Sequence, residues 1–197
     1  MAKKNHQKNL SLLILAAFFG GFVYWVFVVF QNSNPPQNPP INPSQTTDNS
    51  PLTIISGPTR VIDGDTVEID KKRIRLIGID APESKQKCLD KNYYEYLCGE
   101  ASTNFLKNLI ENKNVECQSG EKDIYKRYLG RCKFGNIDIN YAMVKNGMAI
   151  IYNLKDADGE LRMLESEARN KKLGIWQGAF QEPKEYRKKN RHQYHKN

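Results

Sequence analysis

The sequence predicts an α+β fold standing behind one apolar N-terminal segment. Three observations carry that expectation. Short β-branched runs dominate the middle of the chain, segments of helical period are interleaved with and follow them, and a 21-residue uncharged stretch near the N-terminus is succeeded by a proline-rich run. At 197 residues there is room for one domain of about 100 to 150 residues plus appendages, and too little for two independent cores. A content of 39% hydrophobic and 26% charged residues excludes a fully disordered chain and a polytopic membrane protein. The net charge of +8 points to a polyanionic partner, either nucleic acid or an anionic membrane surface. All three histidines, His6, His192 and His195, lie near the ends. The central chain therefore offers no imidazole for a Ser-His-Asp triad, a Cys-His pair or a histidine-ligated metal, and any catalysis must use carboxylates, arginines, hydroxyls or a metal held without histidine.

Residues 1–9 carry Lys3, Lys4 and Lys8 and precede the apolar run Leu10 to Phe30. As a helix that run spans about 30 Å, enough to cross a bilayer. It ends without the small-x-small pattern of a cleaved signal, so it reads as an uncleaved transmembrane anchor, with Tyr24 and Trp25 near its outer interface. Lysines precede it and none follows before Lys71, which places the N-terminus in the cytoplasm and the body outside, in the periplasm or at the cell surface. Residues 31–51 hold six prolines and little apolar mass, and read as an extended linker. The body then runs over 52–183, followed by a basic tail, 184–197.

Within the body, Thr53 to Ile55, Thr66 to Ile69 and Arg73 to Ile79 read as strands, with a tight turn at 70–72 between the last two. Ala101, Phe105, Leu106, Leu109 and Ile110 recur at helical spacing over Gly99 to Glu111. Val115 to Gln118 and Tyr128 to Phe134 return to strand composition, with a turn at Gly135-Asn136. Ile139 to Lys145 reads as a short helix and Gly159 to Lys172 as a longer one, closed by Leu173-Gly174. Five strands with three helices fit a barrel of the oligonucleotide-binding (OB) type better than a parallel α/β sheet.

Cys88, Cys98, Cys117 and Cys132 are an even set in a body expected in an oxidising compartment. No pair is spaced C-x-x-C and no histidine lies near, which argues against zinc; four reduced thiols are the other alternative. If the strands around Cys117 and Cys132 form a hairpin centred near Ile124 and Tyr125, those two cysteines face each other, leaving Cys88 to pair with Cys98.

The stretch Arg60 to Glu83 puts acids at strand ends and turns. Asp63-Gly64-Asp65 reads alone as a turn, and Asp80-Ala81-Pro82-Glu83 alone as a helix start. Together they flank the strand carrying Arg75, and a barrel brings the ends of neighbouring strands together. Asp65, Asp80 and Glu83 are oxygen donors for a hard cation, calcium first and magnesium or manganese second. Arg75 supplies a planar fork for two oxygens of a phosphate, the requirement of phosphodiester chemistry.

The segments VIDGDTV (61–67), RLIGIDAPE (75–83), GEA (99–101), D-x-YKR-x-LG (123–130) and LGIW (173–176) occur in this order and together resemble the staphylococcal nuclease, or thermonuclease, family over about 120 residues. That resemblance implies calcium-dependent hydrolysis of DNA and RNA at the 5′ P–O bond, leaving 3′-phosphates. It implies that Asp65 and Asp80 ligate Ca2+, that Ala81 gives its backbone carbonyl, and that Glu83 acts through a water. Arg75 and Arg127 resemble the pair that holds the transition-state phosphate. Two departures stand beside this. Ile124 replaces a basic residue, and Lys126 replaces the usual glycine, which leaves Arg131 as a competitor for the role of Arg127. Tyr125, Tyr152 and Lys126 are candidates for substrate contact, with Tyr152 reading equally as an ordinary surface tyrosine. The basic tail adds phosphate contacts or is a solvated end. The expected partners are DNA and/or RNA and, through the N-terminal helix, the membrane. No feature calls for an obligate protein partner, and a monomer is expected. The rival reading is a non-catalytic nucleic-acid-binding module on the same barrel.

Overall fold

In the computed structural model the described residues are 52–153 and 157–190. Five strands, β1 (Thr53–Val61), β2 (Thr66–Ile69), β3 (Lys72–Leu76), β7 (Asn114–Lys122) and β8 (Tyr128–Phe134), close into a mixed barrel. β1 pairs antiparallel with β2 and β7, β2 with β3, and β7 with β8, while a parallel β3–β8 pairing joins the ends of the sheet. A short β9 (Ile137–Asp138) pairs antiparallel with the end of β8. The anchor expected over 10–30, the linker over 31–51 and the end of the tail, 191–197, lie outside the described residues; among the described residues no helix is long and apolar enough to cross a membrane.

The strand expectations hold in place but not in extent. β1 runs on through Gly57 and Pro58 because it changes partner there: residues 53–58 pair with β7, and 59–61 with β2. Arg73 to Ile79 is divided in two, since Gly78 adopts a left-handed φ of 82° and turns the chain. Its last part becomes β4 (Ile79–Asp80), paired with β10 (Ile150–Ile151). A further hairpin, β5 (Lys87–Leu89) with β6 (Glu95–Leu97), is too short to show a period in the sequence.

The helices are α1 (Cys98–Ile110), α2 (Ile139–Lys145), α3 (Gly159–Asn170) and α4 (Pro183–Lys189). The first three match the expected segments; α4 occupies what the sequence suggested was the start of a tail. Asp138 and Asp158 cap α2 and α3, accepting hydrogen bonds from the backbone N–H of Tyr141 and Leu161.

Ile55, Val67, Ile69, Ile74 and Leu76 fill the barrel together with Leu106 and Ile110 of α1 and Ile139 and Met143 of α2. A smaller cluster of Cys88, Cys98, Ile150 and Ile175, with Tyr96, Trp176 and Phe180, lies beside it. Each cluster holds one disulfide: Cys117–Cys132 in the barrel, where the two residues face each other across β7 and β8, and Cys88–Cys98 in the smaller cluster.

Candidate active site

The alternation of β3 creates the site. Ile74 and Leu76 point into the core, so Arg75 between them points outward beside its cross-strand partner Thr66, next to Asp65. The backbone holds this junction, with Leu76 N–H donating to the Asp65 carbonyl at 2.8 Å and Asp63 Oδ1 accepting from Asp65 N–H at 3.0 Å. The turn at Gly78 then brings Asp80 back to the same guanidinium. Arg75 Nη1 donates to Asp65 Oδ1 at 2.6 Å and Nη2 to Asp80 Oδ1 at 2.7 Å. Asp65 Oδ2 accepts from Ala81 N–H at 3.1 Å, and Thr66 Oγ1 donates to Asp65 Oδ1 at 3.0 Å.

Both aspartates are buried, with side-chain exposures of 7% for Asp65 and 1% for Asp80. Burial pushes the Asp65 carboxyl up to about 6, with Arg75 pulling the other way and Asp63 adding to the rise. Burial works against the charge of Arg75, but Asp65 and Asp80 outweigh it and hold the guanidinium above its ordinary value.

Asp65, Arg75, Ala81, Glu83, Tyr125 and Arg127 line one cleft of ≈ 990 Å³. Arg127 comes from the turn between β7 and β8, where Asp123 organises the chain. Asp123 Oδ1 accepts from the N–H groups of Tyr125 and Arg127, and Oδ2 from Arg127 Nε at 2.8 Å. Burial opposes ionisation of Asp123, but these bonds hold its pKa below the usual carboxylate range. Arg131 lies on β8, bonded to Asp138 at 2.7 Å and stacked over Tyr141, and does not line the cleft. Lys126 has a left-handed φ of 64°, a conformation that favours glycine; it too is not among the cleft-lining residues. Tyr152 is half exposed in a neighbouring depression of ≈ 330 Å³ shared with Asp80 and Trp176, with its ring 6.0 Å from the Arg75 guanidinium carbon.

The structure adds Arg187 of α4, which sequence reasoning assigned to the tail. Its Nη1 donates to Glu83 Oε1 at 2.7 Å and Asp80 Oδ1 at 2.9 Å, and its Nη2 to Asp80 Oδ2 at 2.9 Å. Lys184 and Lys188 of the same helix also line the cleft. A signal was present: Pro183 at the first helical position, with Arg187, Lys188 and Lys189 in the last turn, is the pattern of a helix and not of a solvated end.

Among the described residues no three acidic, histidine or cysteine side chains converge into a closed metal cage. The donor set nevertheless fits a hard cation. It is all oxygen, and Asp65 and Asp80 already share one positive group between them.

A closed barrel that presents buried carboxylates and arginines at its strand ends, in a cleft lined with further basic residues, defines a class: OB-type barrels equipped for phosphate chemistry. Over residues 73–178 the chain matches the family described as staphylococcal nuclease homologue, and it belongs to that family. It is similar to an uncharacterized endonuclease of Escherichia coli O157:H7, with 38% identity over 125 residues, covering 61% of this chain and 75% of the relative. It is also similar to a thermonuclease of Staphylococcus intermedius, with 35% identity over 127 residues covering 60% and 73%, and to Protein ParB of Escherichia coli, with 35% identity over 133 residues covering 59% and 69%.

Proposed function

We propose that this protein is a calcium-dependent endonuclease that hydrolyses DNA and/or RNA at the 5′ P–O bond, leaving 3′-phosphates, outside the cytoplasmic membrane to which its N-terminal helix anchors it. The observation that carries the reading is the single guanidinium of Arg75 bonded at its two ends to Asp65 and Asp80 within a cleft that also receives Glu83 and Arg127. Family membership and the endonuclease and thermonuclease names of its relatives support it. The two disulfides support a location where cysteines are oxidised.

Asp65, Asp80 and the Ala81 carbonyl would hold the calcium ion, with Glu83 contributing through a water. When bound, the ion supplies positive charge at the scissile phosphate and lowers the cost of charging the attacking oxygen. Glu83 orients the attacking water and takes its proton as that oxygen attacks phosphorus. Arg75 and Arg127 present N–H donors to the equatorial oxygens, whose charge grows in the transition state. The P–O5′ bond breaks and the departing oxygen takes a proton from solvent. Tyr125, at the cleft wall and 73% exposed, stacks on or abuts the nucleotide. Tyr152 and Lys126 contact the chain further from the reacting bond.

The test is digestion of single-stranded DNA and RNA by the full-length protein in calcium, followed by chelation. Cleavage that leaves 3′-phosphate ends and stops on chelation is expected. Full activity in chelator contradicts the cation assignment. Tight binding without any cleavage favours a binding module instead.

A further inference from the structure

The cleft has a second wall that the barrel does not build. Residues 178–189 lie across the β5–β6 hairpin and the loop after β4, tied by three contacts. The Ala179 carbonyl accepts from Leu89 N–H at 2.8 Å, the Gln181 carbonyl from Gln86 Nε2 at 2.6 Å, and Tyr186 Oη donates to the Lys85 carbonyl at 3.4 Å. Gln86 is completely buried, and its Oε1 accepts from Glu83 N–H at 3.1 Å. One side chain therefore fixes both the backbone of Glu83 and the segment that delivers Arg187.

The delivered guanidinium covers two of the three carboxylates that the proposed mechanism assigns to the cation, Asp80 and Glu83. Asp80 Oδ1 accepts from Arg75 Nη2 and Arg187 Nη1, while Oδ2 accepts from Arg187 Nη2. The Asp80 side chain is 1% exposed, and on the side of the main cleft its Oδ2 is held by Arg187. Glu83 Oε1 is engaged by the same guanidinium. A hard divalent ion and an arginine fork compete for the same lone pairs, and each one that Arg187 takes on Asp80 and Glu83 is one that the ion cannot use.

We propose that Arg187 competes with the divalent cation for Asp80 and Glu83: it keeps these carboxylates paired until the cation displaces it into the cleft, beside Lys184 and Lys188. A buried carboxylate left without any positive partner is costly, and Arg187 supplies that partner in the cation-free protein. Its own side chain is one-third exposed, so releasing it to the cleft costs far less than releasing Arg75, which is 16% exposed. The inference rests on the cation site proposed above.

Calorimetric titration of calcium chloride into the full-length protein, with no nucleic acid present, tests it. Arg187→Gln is expected to tighten calcium binding about tenfold or more, equivalent to about 1.4 kcal/mol or above. Arg187→Lys is expected to tighten it by less, roughly threefold, because a single ammonium cannot cover both Asp80 oxygens and Glu83 at once. Lys188→Gln removes the same charge from the same helix without touching Asp80, and is expected to change affinity by less than about twofold. Unchanged or weaker binding in Arg187→Gln, or equal tightening in Lys188→Gln, overturns the competition. If Arg187→Gln fails to fold, as read by circular dichroism, Arg187→Lys decides alone: affinity equal to wild type overturns the proposal. A wild-type protein that binds no calcium removes the cation site and this inference together, whereas a wild type that binds normally beside an unaltered Arg187→Gln removes only the inference.

Discussion

The wall of the cleft that carries Asp65, Arg75 and Asp80 grows out of the barrel, whereas the wall that carries Arg187 is laid on from outside. In the first, Ile74 and Leu76 are fully buried on either side of Arg75, so packing the core is the same act as aiming the guanidinium. In the second, α4 buries only Pro183, and the segment leading to it is tied largely by its backbone carbonyls. The contrast separates two kinds of precision. A group on the barrel moves only if the barrel unfolds, while one on the outer segment can be released by a local opening.

The largest effect should come from the residue on which both walls meet. Asp80→Ala leaves Arg75 and Arg187 without their shared partner, and unfolding measurements should show a loss of about 3 to 5 kcal/mol together with loss of cleavage. A smaller loss would mean that the two guanidinium groups find other partners and that the walls are less coupled than their shared aspartate suggests.

The disulfides separate the walls next. Replacing both Cys117 and Cys132 by alanine opens a bridge of sequence separation 15 in the barrel core and should lower global stability by about 3 kcal/mol. Replacing Cys88 and Cys98 frees the hairpin on which residues 178–189 rest. That pair should speed amide exchange and proteolysis in the C-terminal segment more than it lowers the melting temperature. Equal global effects from both pairs would erase the distinction.

Two glycines give the smallest and most local version of the same test. A Cβ at Gly130 would sit 2.7 Å from Ile74 Cγ2, at the β3–β8 closure, so Gly130→Ala should cost about 1 to 3 kcal/mol and slow cleavage. A Cβ at Gly178 would sit 2.2 Å from the Leu89 carbonyl oxygen, under the outer segment. Gly178→Ala should therefore leave the melting temperature nearly unchanged while shifting calcium affinity in the direction of Arg187→Gln.

The same contrast explains what could be read before the structure was known. Strands β2, β3 and β8, the first three helices and the pairing of Cys117 with Cys132 are visible because each repeats a two- or 3.6-residue pattern or sits at a fixed distance from a turn. The meeting of Asp65 and Asp80 on Arg75 was legible from a different signal, two acid-bearing turns on either side of the strand that carries the arginine. The split at Gly78 and the continuation of β1 through Pro58 were not, since both depend on which neighbour a strand pairs with. Arg187 was hidden because nothing periodic holds it. Its position depends on Gln86 and on carbonyl contacts made about a hundred residues away, so the local signs of a helix at Pro183 and in its basic last turn do not say where that helix lies. Arg131 shows the reverse case: a spacing that suggested an alternative phosphate ligand belongs to a residue tied to Asp138 and Tyr141 on another face.

In the proposed mechanism Arg75, held between two buried aspartates, is aimed at the transition state of phosphodiester cleavage. Arg75→Lys in the full-length protein, measured in parallel for single-turnover cleavage and for nucleic-acid affinity in calcium, tests it most directly. Lysine keeps the charge and loses the planar fork, so cleavage should slow by at least about a hundredfold while affinity changes by less than about tenfold. Cleavage at the wild-type rate, or a fall in affinity as large as the fall in rate, would contradict it.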